Sequence, residues 1–370
     1  ITAVTPVWGS VLNATEDNGN GVIQVTTSGA EDGQTVSLLL NGQTYTGVVS
    51  GNNASITIPA TDLQGLTDGS TYTLTVNVSD AAGNAATANS STSFSVDTSA
   101  PTLALTVGAA GALVNATEST TATVVGVTSN GDWSVTLTGQ SGSVVKSGTG
   151  DGSITLSAGD LTTLGQGAVS VSGSASDAAG NSTTVAGVNL FAIDTVAPGA
   201  SITINSITTD NVVNTAEAAA TTVTITGTVG GDVAAGDTVT VTVNGIASTG
   251  QVTQSGASKV FSINVTGSNL LADADKTVEA SVTTTDAAGN STTATATKVY
   301  SVDTTPPGAS ITINSITTDN VVNTAEAAAT TVTITGTVGG DVAAGDTVTV
   351  TVNGIASTGQ VTQSGASKVF

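Results

Sequence analysis

Apolar and polar residues alternate along most of this chain. In the run Thr238-Val-Thr-Val-Thr-Val243 every second position is valine, so Val239, Val241 and Val243 share a face; Tyr72, Leu74, Val76 and Val78 repeat the pattern, as do Val223 and Ile225. A period of two sends successive side chains to opposite faces of a pleated strand, and an apolar face of that kind must be covered. Asn-Gly pairs at Asn41-Gly42, Asn130-Gly131 and Asn244-Gly245 punctuate the runs with turn signals. About seven short strands per 100 residues is the spacing of a two-sheet sandwich. No stretch reads as a helix of useful length. The Ala-rich residues 216–220 are too few and pass straight into Thr and Val.

The pattern recurs in blocks. Residues 199–261 return without change as residues 308–370. More diverged copies precede them. Asp80-Ala-Ala-Gly-Asn84 returns at residues 177–181 and 286–290. A boundary phrase, Val96-Asp97-Thr98, returns as Ile193-Asp194-Thr195 and Val302-Asp303-Thr304, with Pro101, Pro198 and Pro306-Pro307 close behind. A third phrase opens each block: Asn13-Ala-Thr-Glu16, Asn115-Ala-Thr-Glu118, Asn214-Thr-Ala-Glu217 and Asn323-Thr-Ala-Glu326. A supersecondary unit repeated at a fixed period is the mark of an array. The expected organisation is all-β: tandem immunoglobulin-like β-sandwich domains in a linear array, at 1–98, 99–195 and 196–304, with a truncated copy at 305–370. That last block lacks the phrases that close the others, so its strand edges are expected to lie open. The chain opens on Ile1 and shows no leader-like run, which reads as a window on something longer.

Composition narrows the function. The net charge is −22, from 5 Lys and Arg against 27 Asp and Glu. Such a chain lacks the clustered cations that bind nucleic acid, and it is a poor match for anionic membranes. It has no apolar run of about 20 residues to span a bilayer. There is no Cys, hence no disulfide and no thiol nucleophile; there is no His, which removes the commonest general base and Ser-His-Asp catalysis. The expectation is that this is not an enzyme. Trp8 and Trp133 are the only tryptophans and are expected to pack in cores or at strand ends rather than to bind sugars.

The acidic phrases carry the remaining information. In an immunoglobulin topology the Asn-x-x-Glu phrase falls between the first two strands, at the end where the last strand exits, and the Asp-Ala-Ala-Gly-Asn phrase falls at the opposite end of the next sandwich. Each junction then collects three acidic elements. The first gathers Glu16, Asp97, Asp177 and Asn181; the second Glu118, Asp194, Asp286 and Asn290; the third Glu217 and Asp303, joined by Asp210 and Asn214. Turns between the fifth and sixth strands add Asp62 and Asp68, then Asp160, then Asp273 and Asp275. Carboxylates and amides without His or Cys form hard oxygen sites that suit calcium better than zinc. Calcium would relieve the repulsion among them and fix the angle between domains, already limited by linker prolines. Each phrase also reads as a tight turn, with Asp or Asn bonding nearby backbone and Gly at positive φ.

The Val-Asp-Thr linker with its following Pro, the Asp-Ala-Ala-Gly-Asn turn and the Asn-x-Ala-Glu phrase resemble the bacterial immunoglobulin-like tandem repeats of giant RTX and biofilm-associated adhesins. That resemblance implies a secreted protein at the bacterial cell surface or in the extracellular matrix, built as an extender (stalk) stiffened by calcium. It also implies that the linker Asp, the loop Asp and Asn and the Glu of the opening turn are ligands. Its partners would be neighbouring repeats of the same chain. The alternative is a repeat unit in which identical chains assemble into a fibre, sheath or surface layer. The Gly-Gly-x-Gly-x-Asp nonapeptides of RTX tails are absent, so a type I secretion route rests on the repeats alone.

Overall fold

The computed structural model describes residues 1–86 and 90–370. Strand dominates, and the longest helix among the described residues is Ala158–Leu164. The chain forms two compact units, residues 1–198 with 285–292, and residues 199–284 with 293–370.

Within the first unit, the first sandwich pairs a three-stranded sheet, Ala3–Pro6, Gly21–Thr26 and Asn53–Ile58 in that order, with a five-stranded one. The second sheet runs Val11–Leu12, Ser90–Val96, Thr71–Val78, Thr35–Leu40, Gln43–Val48. Alternation decides the faces: Ile23 and Val25, Leu38 and Leu40, Leu74 and Val76 point inward and are buried, with Trp8 and Phe94 meeting edge to face at 5.3 Å. Burying each such Val or Leu is worth about 1.5–3 kcal/mol. The second sandwich repeats the plan. Gly152–Thr155, Thr123–Ser129 and Leu103–Val107 face Leu113–Val114, Ser182–Ile193, Gly167–Ser176, Asp132–Thr138 and Ser143–Thr149. Its Trp133 is buried and donates from Nε1 to the Gly150 carbonyl at 2.9 Å. Both tryptophans are core residues, as their sequence context implies.

The second unit holds a third sandwich. Ala200–Ile204, Val223–Gly231, Ser258–Val265 and Thr253–Ser255 form one sheet; Ile246–Gln251, Thr238–Val243, Thr277–Thr285 and Ser291–Val299 form the other. Val239, Val241 and Val243 are fully buried on the face that the alternation selects. Residues 308–370 build the same first sheet, but their second sheet has only Thr347–Val352 and Ile355–Gln360. Val322, Val332, Val350, Val352 and Phe370 line an apolar cleft of about 550 Å³ beside these strands.

Two of the Asn-Gly pairs are tight hairpins, with both residues at positive φ: Asn41 (47°) and Gly42 (79°), Asn244 (51°) and Gly245 (72°). Asn130-Gly131 also separates two strands, but these lie in different sheets, so a two-residue hairpin is not what it makes. The Asn130 side chain instead accepts from the Thr102 backbone at 2.7 Å, just beyond the linker.

A two-residue strand positions the acidic phrases. Val11–Leu12 runs parallel to the last strand of its sandwich, with Leu12 opposite Val96. The Asp97 amide donates to the Leu12 carbonyl at 2.9 Å, which sets Asn13 beside the linker. The second sandwich does the same with Val114 opposite Ile193, and the third with Asn214 opposite Asp303.

Candidate functional site

The phrase Asn13-Ala-Thr-Glu16 folds as a reciprocal cap. Asn13 Oδ1 accepts from the Thr15 and Glu16 amides at 2.9 and 3.0 Å, and Glu16 Oε2 accepts from the Asn13 amide at 3.1 Å. Asn in place of Ser or Thr makes the same two-way bond that ties a helix start. Residues 115–118 close in the same way, and residues 214–217 and 323–326 begin one-turn helices with full capping boxes. The phrase Asp177-Ala-Ala-Gly-Asn181 is a tight loop. Asn181 donates from its backbone to Asp177 Oδ1 at 2.9 Å and from Nδ2 to Asp177 Oδ2 at 2.9 Å, while Gly180 takes a φ of 93°. Both turn readings of these phrases therefore hold.

The turn and the loop also meet. Asn13 Nδ2 donates to the Ala179 carbonyl at 2.9 Å, the Ala14 amide donates to Asn181 Oδ1 at 2.8 Å, and Asn181 Nδ2 donates to the Asp97 carbonyl at 2.8 Å. The same three bonds recur at the next loop, which belongs to the first compact unit. Asn115 reaches the Ala288 carbonyl at 3.0 Å, the Ala116 amide reaches Asn290 Oδ1 at 2.9 Å, and Asn290 Nδ2 reaches the Asp194 carbonyl at 2.8 Å. Asn181 and Asn290 are only 3% and 7% exposed.

Residues 60–146 match the family model described as Bacterial Ig-like domain (group 3). The matched window begins in the one-turn helix of the first sandwich, crosses the Asp97 linker and ends in the strand Ser143–Thr149 of the second. A calcium-stabilised adhesin with which an Antarctic bacterium reaches out and binds ice is 35% identical in sequence. The likeness covers 99% of this chain and 90% of that one, with a TM-score of 0.61. The chain belongs to the bacterial immunoglobulin-like repeats of large adhesins. A 1.5-MDa bacterial ice-binding adhesin is 34% identical over 82% of this chain and 97% of its own, with a TM-score of 0.47. A single immunoglobulin-like domain of the M. primoryensis ice-binding adhesin is 44% identical over 29% of this chain and 100% of its own, at a TM-score of 0.27. None of the curated proteins matches the chain.

In these adhesin repeats the acidic residues divide by what they bond. Asp97, Asp177 and Asn181 are joined directly, with Glu16 held in the turn that docks on them. Asp194, Asp286, Asn290 and Glu118 form the corresponding set, although Asp194 Oδ1 accepts from Val196 within its own linker. Glu217 and Asp303 flank one short parallel ladder, where Thr215 Oγ1 donates to the Thr304 carbonyl at 3.1 Å. Asn214 caps its helix, and Asp210 accepts from the Val212 amide at 3.0 Å inside its own loop. Asp273 is buried, and its Oδ2 accepts from Tyr300 at 3.1 Å and from the Thr277 amide at 3.0 Å; burial and this carboxylate push the Tyr300 phenol well above its usual range. Asp62 binds Tyr45 in the same manner, and burial with that contact raises the Tyr45 phenol to about 12. Asp160 caps its helix and pairs with Lys146 at 2.7 Å.

Four contributors escaped the sequence reading. Asn13 and Asn115 supply the crossing donors, and the Ala179 and Ala288 carbonyls receive them. Asp68, which the sequence places with the junction carboxylates, accepts from the Ser99 hydroxyl and from the Thr98 amide at 2.7 Å, which brace the linker and lower the Asp68 carboxyl below its ordinary value. The signal for Asn13 lies in the phrase itself, since Asn three residues before Glu is a cap whose Nδ2 is left free to donate elsewhere.

Proposed function

We propose that this chain is an extracellular structural extender of a large cell-surface adhesin, with no catalytic role, and that calcium at the linkers stiffens it. The observation that carries the reading is the turn, linker and loop arrangement, formed twice with the same residue types. It ties the linker Asp of one repeat to the loop of the next. Membership of a family of adhesin repeats supports the stalk. The calcium-stabilised adhesin to which the chain is similar supports the ion.

The donor set suits calcium in kind: carboxylates and carbonyls, with no nitrogen or sulfur ligand. Among the described residues no three Asp or Glu side chains stand together as a ready metal group. Glu16, Asp97 and Asp177 would hold an ion at the first linker, Glu118, Asp194 and Asp286 at the second, and Glu217 and Asp303 at the third. Asp210, Asn214 and Asp273 serve their own sandwich by the bonds described above. Calcium would offset the mutual repulsion of the carboxylates, which grows as they approach. The test is small-angle scattering and thermal melting of the full chain with calcium and with chelator. Calcium is expected to narrow the range of sizes and raise the melting temperature. Identical profiles and melting temperatures in both conditions would sink the calcium reading.

A further inference from the structure

We infer that Lys298 guards an open sheet edge of the third sandwich, and that it keeps two copies of this chain from pairing side by side through that edge. A strand at the edge of a sheet presents unpaired backbone groups, to which a second strand can add. Ser291–Val299 is such a strand: it ends the four-stranded sheet and runs for nine residues. The parallel strand Val212–Asn214 covers only its continuation, Ser301–Asp303. The Tyr300 amide donates to the Lys276 carbonyl, just ahead of the neighbouring strand, and the Ser301 amide donates the opposite way, to Asn211. On that opposite side Val299 gives its carbonyl to Asn211 Nδ2 at 2.6 Å. Alternation therefore turns the amides of Thr293, Thr295 and Thr297 toward the open side.

Lys298 interrupts this edge. Of the five lysines it alone makes no hydrogen bond or ion pair among the described residues. Lys146 pairs with Asp160, Lys259 and Lys368 bond the Val233 and Val342 carbonyls, and Lys276 bonds the Leu271 carbonyl. Lys298 is half-buried, on the same strand face as Ala296 and Tyr300, which pack against the core. A lysine placed that way keeps its ammonium in water only while the edge stays open. A second strand would bury the ammonium without a partner, at a cost that the new ladder bonds do not offset. The other sandwiches blunt the same edge differently. In the first, Ser90–Val96 has seven residues, and Val11–Leu12 pairs with two of them. In the second, Ser182–Ile193 is longer, but its register against the strand beside it shifts twice. Short length, bulges and an inward charge are three ways to the same end. Four residues ahead of the boundary valine or isoleucine, these two carry Thr92 and Asn189 where the third carries Lys298.

The experiment is sedimentation velocity on the full chain over a concentration series, at one fixed calcium concentration and in salt that screens its net charge. The variants are Lys298→Val, Lys298→Thr and Lys298→Arg, with far-UV circular dichroism and thermal melting to check folding. Wild type and Lys298→Arg are expected to sediment as monomers. Lys298→Val and Lys298→Thr should associate at concentrations about a hundredfold or more below any at which wild type does, as relief from burying an unpaired charge implies. Adding Thr295→Pro, which deletes an amide on the open side, should return Lys298→Val to monomer. A Lys298→Val chain that stays monomeric, or that still associates once Thr295→Pro is added, would overturn the inference. So would a wild type that associates as readily as its variants. Each of these outcomes is separable from failure of the calcium reading, which is tested by exchanging calcium for chelator.

Discussion

At the scale of single residues, the acidic side chains are sorted by what faces them. Asp286 shows the consequence. The Asn290 amide, then the backbone N–H groups of Asn290, Ala288 and Gly289, favour its charged form against the opposing effect of desolvation and hold its carboxyl below the usual value. A folded-state pKa below the unfolded one means that the unfolded chain binds the proton more readily. The stabilisation is therefore present above the unfolded value of about 3.9 and is lost as pH falls through the lowered folded value. Acid titration followed by carboxyl NMR is expected to show Asp286 titrating below an unstructured Asp, with the Asn290 amide signal shifting in the same pH interval. Asn290→Ala should move the Asp286 titration back upward; an unmoved titration would refute the assignment of its cause. The sequence alone places Asp286, Asn290, Asp194 and Glu118 near one another, because the topology of a sandwich dictates which loops share an end. It does not reveal their partners, because those are mostly backbone N–H and C=O groups, which every residue carries. Nor does it show that Asp273 turns to Tyr300 and Asp160 to Lys146, since those contacts depend on side chains delivered by other strands.

At the scale of elements, the strands were legible because valine and leucine alternate with threonine and serine over six or more positions. The strand Val11–Leu12 was not, because two residues carry no period, yet its parallel pairing is what brings Asn13 to the linker. The Asn130-Gly131 pair misleads for a related reason: a turn dipeptide marks where a strand ends, and only the sheets show whether the chain turns back or crosses over. Packing inside an element can be tested at Trp133. Its ring lies so close to the strand Ser143–Thr149 that a Cβ added at Gly148 would sit 2.4 Å from Cζ2, with the indole pinned by its bond to the Gly150 carbonyl. Gly148→Ala is expected to destabilise the second sandwich by about 1–3 kcal/mol, the usual cost of overpacking. The exposed neighbour Ser147 supplies the control, and Ser147→Ala should stay within about 0.5 kcal/mol of wild type. Denaturant melts followed by tryptophan fluorescence would read both; equal midpoints for the two variants would show that the ring yields without cost.

At the scale of the whole molecule, the repeated sequence provides its own control. Residues 199–261 and 308–370 are identical, so any difference between them comes from what covers them rather than from propensity. Val243 is fully buried while its counterpart Val352 is 55% exposed, and Ile202 at 7% corresponds to Ile311 at 54%. Each copy nevertheless keeps its first sheet, and Val361 is as buried as Val252, so the uncovered copy retains part of its core. Backbone protection against hydrogen exchange follows the free energy of local opening, which falls where few apolar side chains are buried. Peptides from the two copies have the same mass and cannot be told apart, and that makes the prediction sharper. In a polypeptide of these 370 residues, every peptide lying wholly within the shared sequence should give two isotope envelopes of equal size, one slow and one fast, with the separation largest for the strand Thr238–Val243 and its twin Thr347–Val352. A single slow envelope would mean that the apolar cleft beside Phe370 is covered in solution, and a single fast one that the third sandwich is no more stable than half of itself.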